Sequence, residues 1–588
     1  MANEAVSFPL FIAVMILFII ATIFLGWYGF HHTKSNKQFL LGRNKTNPLI
    51  IALSYGATFL SASAIVGFGG QAAVHGMTMI WLCFLNLFLG LFIAFVVFGR
   101  RVRRIGLKLG ASTFSDLFGK IFKSKGIRMF AAVIIIVMMP IYCAAVLKAG
   151  VNSVVTFMGL QEFYNIILII LAVIVGAYVV YGGIIAVMYN DALQAGIMFV
   201  GMIVILVITL ITVGGFTHAV DSLKDYGFVK GMLDGGVNLA AFPVFNSKEF
   251  WLVISTFILG VGIGALTQPQ LVVRFMSAKD NKTLNKSLII GSIFMIAIVA
   301  SAYTVGAFTN VYFMEEHGMT AGQYMLSLPD YANAKSIPVD YIIPQYVLEV
   351  FKKYSLGDLF ICVFILALLA AAISTLSALM HTIGTAGGHD VFAVWKDWKK
   401  KRIEDGKSTK FSDNIVATWE DFKVRVRKGG RKKESDDQQS LFVNRSVTAI
   451  VMVLIVVYCF LMPNDIVAKA TSLFMGLTAA AILPLMIYGL FGKDPKKNVA
   501  LASITVGTVS YLFWALFINS GSSIFLPICK WLTGNPVLFG GTIQYVDALI
   551  ISLPLSAATL IIAYAIMWWK NKRTVDTGIE VVDEGNES

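Results

Sequence analysis

Charge is scarce in this 588-residue chain: Asp, Glu, Lys and Arg make up 14% of it, against roughly 25% in a soluble domain. With 57% hydrophobic residues and a mean hydropathy of +0.77, this excludes a soluble globular protein and indicates a polytopic membrane protein. Cysteine is scarce as well. Cys83, Cys143, Cys362, Cys459 and Cys529 lie in or beside apolar runs without paired spacing, so neither a disulfide framework nor a metal cluster is indicated. A phosphate-cradling glycine loop with Lys, a His-Cys metal spacing and a nucleophile motif in a sensible context are all missing, so no enzyme is expected. The N-terminus lacks a basic leader and a small-residue cleavage site, so a retained first helix is expected. The net charge of +14 sits in loops between apolar segments, a membrane-topology signal and not a nucleic-acid footprint.

What is present is a series of thirteen apolar segments, near residues 7–29, 48–75, 78–99, 129–157, 164–183, 188–214, 249–270, 287–313, 357–386, 446–463, 468–492, 498–519 and 545–569. The loops after odd-numbered segments carry the cations, among them His31 to Lys45, Arg100 through Arg128, Arg274 to Lys286 and Lys396 to Arg445. The positive-inside rule then places the N-terminus outside and the C-terminus in the cytoplasm of a cell membrane protein. Residues 390–444 read as a solvated basic loop, with a short amphipathic helix on the inner leaflet as the alternative, given Trp395, Trp398, Trp419 and Phe422. The acidic tail, IEVVDEGNES (579–588), within a cytoplasmic tail of 571–588, reads as disordered.

The second segment is full of small residues: Gly56, Ala57, Thr58, Ser61, Ala62, Ser63, Gly67, Gly69 and Gly70. Such residues permit close helix contact, or an interruption whose freed carbonyls only a cavity, a neighbour or an ion can satisfy. Segments two to six and seven to eleven form two sets of five, and an odd number per set forces opposite orientations, the arithmetic of an inverted repeat. The first helix of each set should then be interrupted, and the seventh segment carries Gly260, Gly262, Gly264 and Pro269. This gives units at 1–30, 48–214, 249–492 and 498–570.

The ninth segment holds the best cation-site candidate. Ser374, Thr375 and Ser377 place hydroxyls close together, and the Ala371 carbonyl lies one turn earlier. A hard cation such as sodium takes several such oxygens. Packing is the alternative, because Ser and Thr also bond back to their own helix. His75 and His381 read as hydrogen-bonded packing residues.

Five ordered stretches carry a resemblance: LGRNKTNPLIIALSYGATFLSASAIVG (41–67), IYCAA (141–145), YVVYGGIIAVMYNDALQ (178–194), LTQPQLVVRFM (266–276) and AAAISTLS (370–377). The chain resembles the sodium:solute symporter family, near its monocarboxylate, pantothenate and proline branches. The resemblance implies an all-α, leucine-transporter-like fold of five plus five inverted helices with extra helices at the ends. It implies a sodium site made of the carbonyls of Ala57, Leu60 and Ala371 and the hydroxyls of Ser374 and Thr375. It also matches Asp191 to an acid near the sodium exit path, although a helix N-cap serves as well. Ser377 matches a second sodium site of some members, but Ala378 does not.

For the solute, the resemblance points to Phe59 in the broken helix and to Tyr142 as an aromatic wall with a hydroxyl. Gln268 could bond solute or satisfy the interrupted backbone. Phe59 stands where the proline branch has Asp, and Val261 and Ala265 stand where it has aromatics, which argues against proline. Lys148 lies well inside an apolar run, where a cation costs roughly 2.5 to 3.5 kcal/mol and needs a partner or a purpose. A solute carboxylate answers that need, and snorkelling to the outer surface is the alternative. The expected function is sodium-coupled symport of a small organic solute, a monocarboxylate-like anion first. A neutral or zwitterionic solute, a membrane sensor and a channel are the rivals.

Overall fold

The computed structural model describes residues 7–42, 46–229, 236–331, 334, 336–404, 432–462 and 467–577. Among these, eleven helices are long and apolar enough to cross a membrane. Two of them, Ser63–Leu109 with 47 residues and Gln161–Thr212 with 52, are too long for a single crossing of about 20 residues. Both turn at a glycine with positive φ, Gly76 (71°) and Gly183 (58°). A Cβ at Gly183 would stand 2.6 Å from the Phe39 ring, and one at Gly76 would overlap the Leu239 carbonyl, so only glycine fits either bend. Divided there, and with Pro48–Phe59 joined to 63–75 as one interrupted helix, the described spans are numbered here as rods in the order of the apolar segments.

Several boundaries move. The seventh segment continues to Ser277, so Arg274 lies inside the fold and not in a cytoplasmic loop. The ninth continues through Val391 into the helix Phe392–Glu404, and the tenth begins at Lys432. The stretch expected to be a solvated loop is therefore helical at both ends. Trp419 and Phe422, like the tail from 578 on, lie outside the described residues.

Burial sorts the rods into centre and rim. The apolar window of Val467–Phe491 is 89% buried, whereas those of Phe8–His32 and Ala548–Lys570 are 17% buried. The rim helices point Leu17, Ile20, Trp27, Ile561 and Trp568 outward, as lipid-facing helices must. The centre is built from the second, fourth, seventh, ninth and eleventh rods. The connections after the sixth and eighth rods carry short elements: Phe216–Asp225, a hairpin pairing Phe228–Val229 with Val237–Asn238, Ala321–Ser327 and Ile342–Phe351.

Both set-leading helices are interrupted. Pro48–Phe59 ends at Leu60 (φ −93°, ψ 79°), and the chain resumes with a wide turn at Ser63–Gly67. The seventh rod breaks at Gln268 (φ −66°, ψ 116°), where Pro269 bars the preceding residue from helix and brings no N–H of its own.

Candidate functional site

The break after Phe59 withdraws the amides that would pair with the last carbonyls of the half-helix. The Ser374 hydroxyl donates to the Ala57 carbonyl at 2.9 Å and also contacts the Ala371 carbonyl at 3.2 Å, while Thr375 donates to the Thr58 carbonyl at 3.1 Å. All of these residues are buried. Two hydroxyls and three main-chain carbonyls thus meet where the broken helix faces the ninth rod. That donor set fits a hard monovalent cation. Leu60 closes the half-helix, its N–H bonded to the Gly56 carbonyl at 2.8 Å, and Thr58 supplies a carbonyl that the sequence reading did not include. Ser377 donates to the Ser374 carbonyl at 3.0 Å.

Below this cluster stands a buried ion pair. Arg274 reaches Asp191 at 2.8 Å, and both side chains are essentially inaccessible. The guanidinium also donates to Ser54 at 2.8 Å, to Thr58 and to the Gln270 carbonyl. Ser54 donates to the same Asp191 oxygen at 2.7 Å. Asp191 is therefore no N-cap: it sits inside its helix, and Ser54 and Thr58 of the second rod and Arg274 of the seventh fix one of its oxygens. Arg274 was hidden from sequence reasoning because a cation near an inner helix end reads as a topology signal. Its place in LTQPQLVVRFM was the available clue.

The two breaks face one surface of the eleventh rod. Thr471 donates to Ser63 at 3.0 Å beside the first break, and Gln268 donates to Thr478 at 3.0 Å and to the Gly264 carbonyl at 2.9 Å at the second. Thr471 and Thr478 are two helical turns apart, on one face. Phe474 lies between them, its ring 6.0 Å from that of Tyr142, whose hydroxyl donates to Ser61 at 3.3 Å. Gln268 thus satisfies the interrupted backbone, the second of its two expected roles. Tyr142, Phe474, Ser61 and Thr471 are thus brought together beside the first break. Phe474 and Thr471 carried no signal in the sequence, because one Phe and one Thr in an apolar run look like ordinary packing.

Lys148 points elsewhere. Its ammonium donates to the carbonyls of Met462 at 2.8 Å and Cys459 at 3.4 Å, at the C-terminal end of the tenth rod, where helix carbonyls lack amides and the dipole is negative. The argument for an anionic solute rested on this residue, and its contacts give it a structural employment. Phe59 packs its ring where a Cβ on Gly90 would stand 2.9 Å from it and 3.2 Å from Ala265. Its bulk therefore fills the room left by small residues at 90 and 265. His381 bonds the Phe39 carbonyl at 2.8 Å, and His75 is buried between Glu249 and Gln71.

Interrupted helices leading two five-rod sets, with an oxygen cluster at the first interruption, define a secondary transporter. A model of the "Sodium:solute symporter family" matches residues 39–418, more than half of the chain, which therefore belongs to that family. The chain is 24% identical over 516 residues to the sodium/proline symporter of Escherichia coli (strain K12), covering 87% of this chain and 89% of that one. It is 24% identical over 504 residues to the osmoregulated proline transporter OpuE of Bacillus subtilis (strain 168), covering 85% and 87%. Among solved structures it is similar to a sodium-coupled sialic acid symporter in its substrate-bound outward-open state, with a TM-score of 0.65, 17% identity and coverage of 94% and 96%. The fold is the leucine-transporter-like inverted repeat. The protein is a multi-pass membrane symporter and sodium is its coupling ion.

Proposed function

We propose that the chain takes up a zwitterionic amino acid, proline being the first candidate, together with sodium held by Ala57, Thr58, Ala371, Ser374 and Thr375. The observation that carries the choice of solute is the engagement of the Lys148 ammonium by the Met462 and Cys459 carbonyls. It leaves the residues beside the breaks without that cation, so a bare monocarboxylate loses its partner there. A zwitterion brings its own counter-charge. The names of the matched relatives agree, as the two cited above are proline transporters. The departures at Phe59, Val261 and Ala265 do not speak against this as first expected, since the Phe59 ring restores the aromatic bulk that Ala265 lacks.

In this reading the ion ties the broken second rod to the ninth, and Tyr142 and Phe474 hold the solute's ring. The sets then rock around the site, and sodium leaves past Asp191. The cationic loops put the N-terminus outside and the C-terminus in the cytoplasm. Lys148 and Gln268 act as backbone partners and not as solute ligands. Binding of ion and solute strengthen each other equally, as linkage requires.

The test is competition for sodium-driven proline uptake by other amino acids, pantothenate, pyruvate and acetate in proteoliposomes. The reading expects proline and close analogues to compete and the simple carboxylates to fail. Competition by pyruvate or acetate, lost in Lys148→Gln, would return the anion.

A further inference from the structure

Away from the transport site, an apolar groove of about 480 Å³ opens where the ninth rod runs into the helix Phe392–Glu404. Met129 of the fourth rod, Gly387, Val391, Trp395 and Trp398 of the ninth and its extension, and Val447 of the tenth line it. Its wall is almost wholly carbon. Along the same helix faces the groove continues into exposed apolar surface at Val133 (45% exposed) and Ile450 (60%), one turn from Met129 and Val447 respectively. A groove continuous with a lipid-facing surface is filled by hydrocarbon and not by a soluble protein.

The helix that carries Trp395 and Trp398 is basic in sequence. From Trp395 to Arg402 the sequence carries Lys396, Lys399, Lys400, Lys401 and Arg402 against the single acid Asp397, and that acid is held by Lys125 at 3.1 Å. Two tryptophans beside such a run mark a membrane interface. Clustered lysines next to it attract anionic headgroups. We infer that this groove binds an anionic phospholipid, one acyl chain lying along Met129, Val391 and Val447 and the phosphate lying at the exposed Lys396, where the basic run begins. Assignment to the cytoplasmic leaflet rests on the orientation proposed above; the site itself does not.

The experiment is native mass spectrometry of the full-length protein purified from vesicles of equal phosphatidylglycerol and phosphatidylcholine. Wild type should retain phosphatidylglycerol over phosphatidylcholine by about fivefold or more, the effect expected of even one well-placed lysine. Lys396→Gln with Lys400→Gln and Lys401→Gln, all outside the transport site in sequence, should lose the preference while keeping sodium-driven uptake. Val447→Trp, which fills the groove, should lose both lipids. Equal retention of the two lipids by wild type, or unchanged phosphatidylglycerol retention in the lysine variant, would overturn the inference. Because lipid retention is read without transport, a failed solute assignment leaves this result interpretable. Should Val447→Trp not fold, the lysine variant decides alone.

Discussion

The hydroxyl of Ser374 donates to the carbonyl of Ala57 across 2.9 Å and 317 positions of sequence, joining the first helix of one set to the third helix of the other. Neither residue is charged, and the carbonyl is available because the helix stops three residues later. A bond of this kind gives way to an ion without moving either backbone. Under the proposed ion site, it is the point where ion occupancy and the relative position of the two sets become one variable.

Ser374→Ala with Thr375→Ala removes two of the five oxygens. The half-saturating sodium concentration for uptake should rise by about tenfold or more, equivalent to about 1.4 kcal/mol, while Ser374→Thr keeps a hydroxyl and should stay near wild type. Uptake measured against sodium concentration checks this, and an unchanged sodium dependence in the double variant removes the assigned site.

The Asp191–Arg274 pair predicts an asymmetric loss. Arg274→Met leaves a buried carboxylate alone and should destabilise the detergent-solubilised protein by about 3 to 5 kcal/mol. Asp191→Asn with Arg274→Gln retains hydrogen bonding without charge and should recover much of that stability. Thermal unfolding of the single and double variants separates a structural pair from independent residues: additive losses would show that the two do not act together.

Lys148→Gln should preserve solute selectivity and lower thermal stability by about 1.5 to 3 kcal/mol, the worth of a charged donor on buried carbonyls. Selective loss of carboxylate uptake with unaltered stability would be the opposite result.

The two breaks and the hydroxyl pair could be read from the sequence because each is a local signal: glycine and small residues in an apolar run, a Gln-Pro step, a Ser-Thr pair one turn from an alanine. The membrane spans followed from hydropathy, including the bends where Gly76 and Gly183 take positive φ. What could not be read were pairings between distant rods. Arg274 counted as a loop cation, and its partner 83 positions earlier looked like a capping acid. Lys148 suggested a ligand because its partners are main-chain carbonyls at 459 and 462, which no side-chain pattern announces. Phe474 and Thr471 are unremarkable residues made relevant only by the face they share.

Outside the membrane segments, Asp280 caps the helix Asn281–His317 by accepting from the Thr283 amide, and that bond holds its carboxyl below the usual carboxylate range. Its contribution is therefore present at neutral pH and is lost as pH falls below the unfolded value towards the depressed folded one. Asp280→Asn keeps a capping oxygen that does not titrate. Melting curves between pH 5 and about 3 should fall less steeply for the variant than for wild type; parallel slopes would show that the cap carries no pH dependence.

The central claim, that sodium entry drives solute uptake through the Ala57–Ser374 contact, is tested most directly by labelled proline uptake into proteoliposomes under an inward sodium gradient or an equal potassium gradient. The account predicts accumulation with sodium only, strongly reduced in Ser374→Ala with Thr375→Ala at limiting sodium and restored towards wild type at high sodium. Equal accumulation with potassium, or a double variant indistinguishable from wild type at limiting sodium, would contradict it.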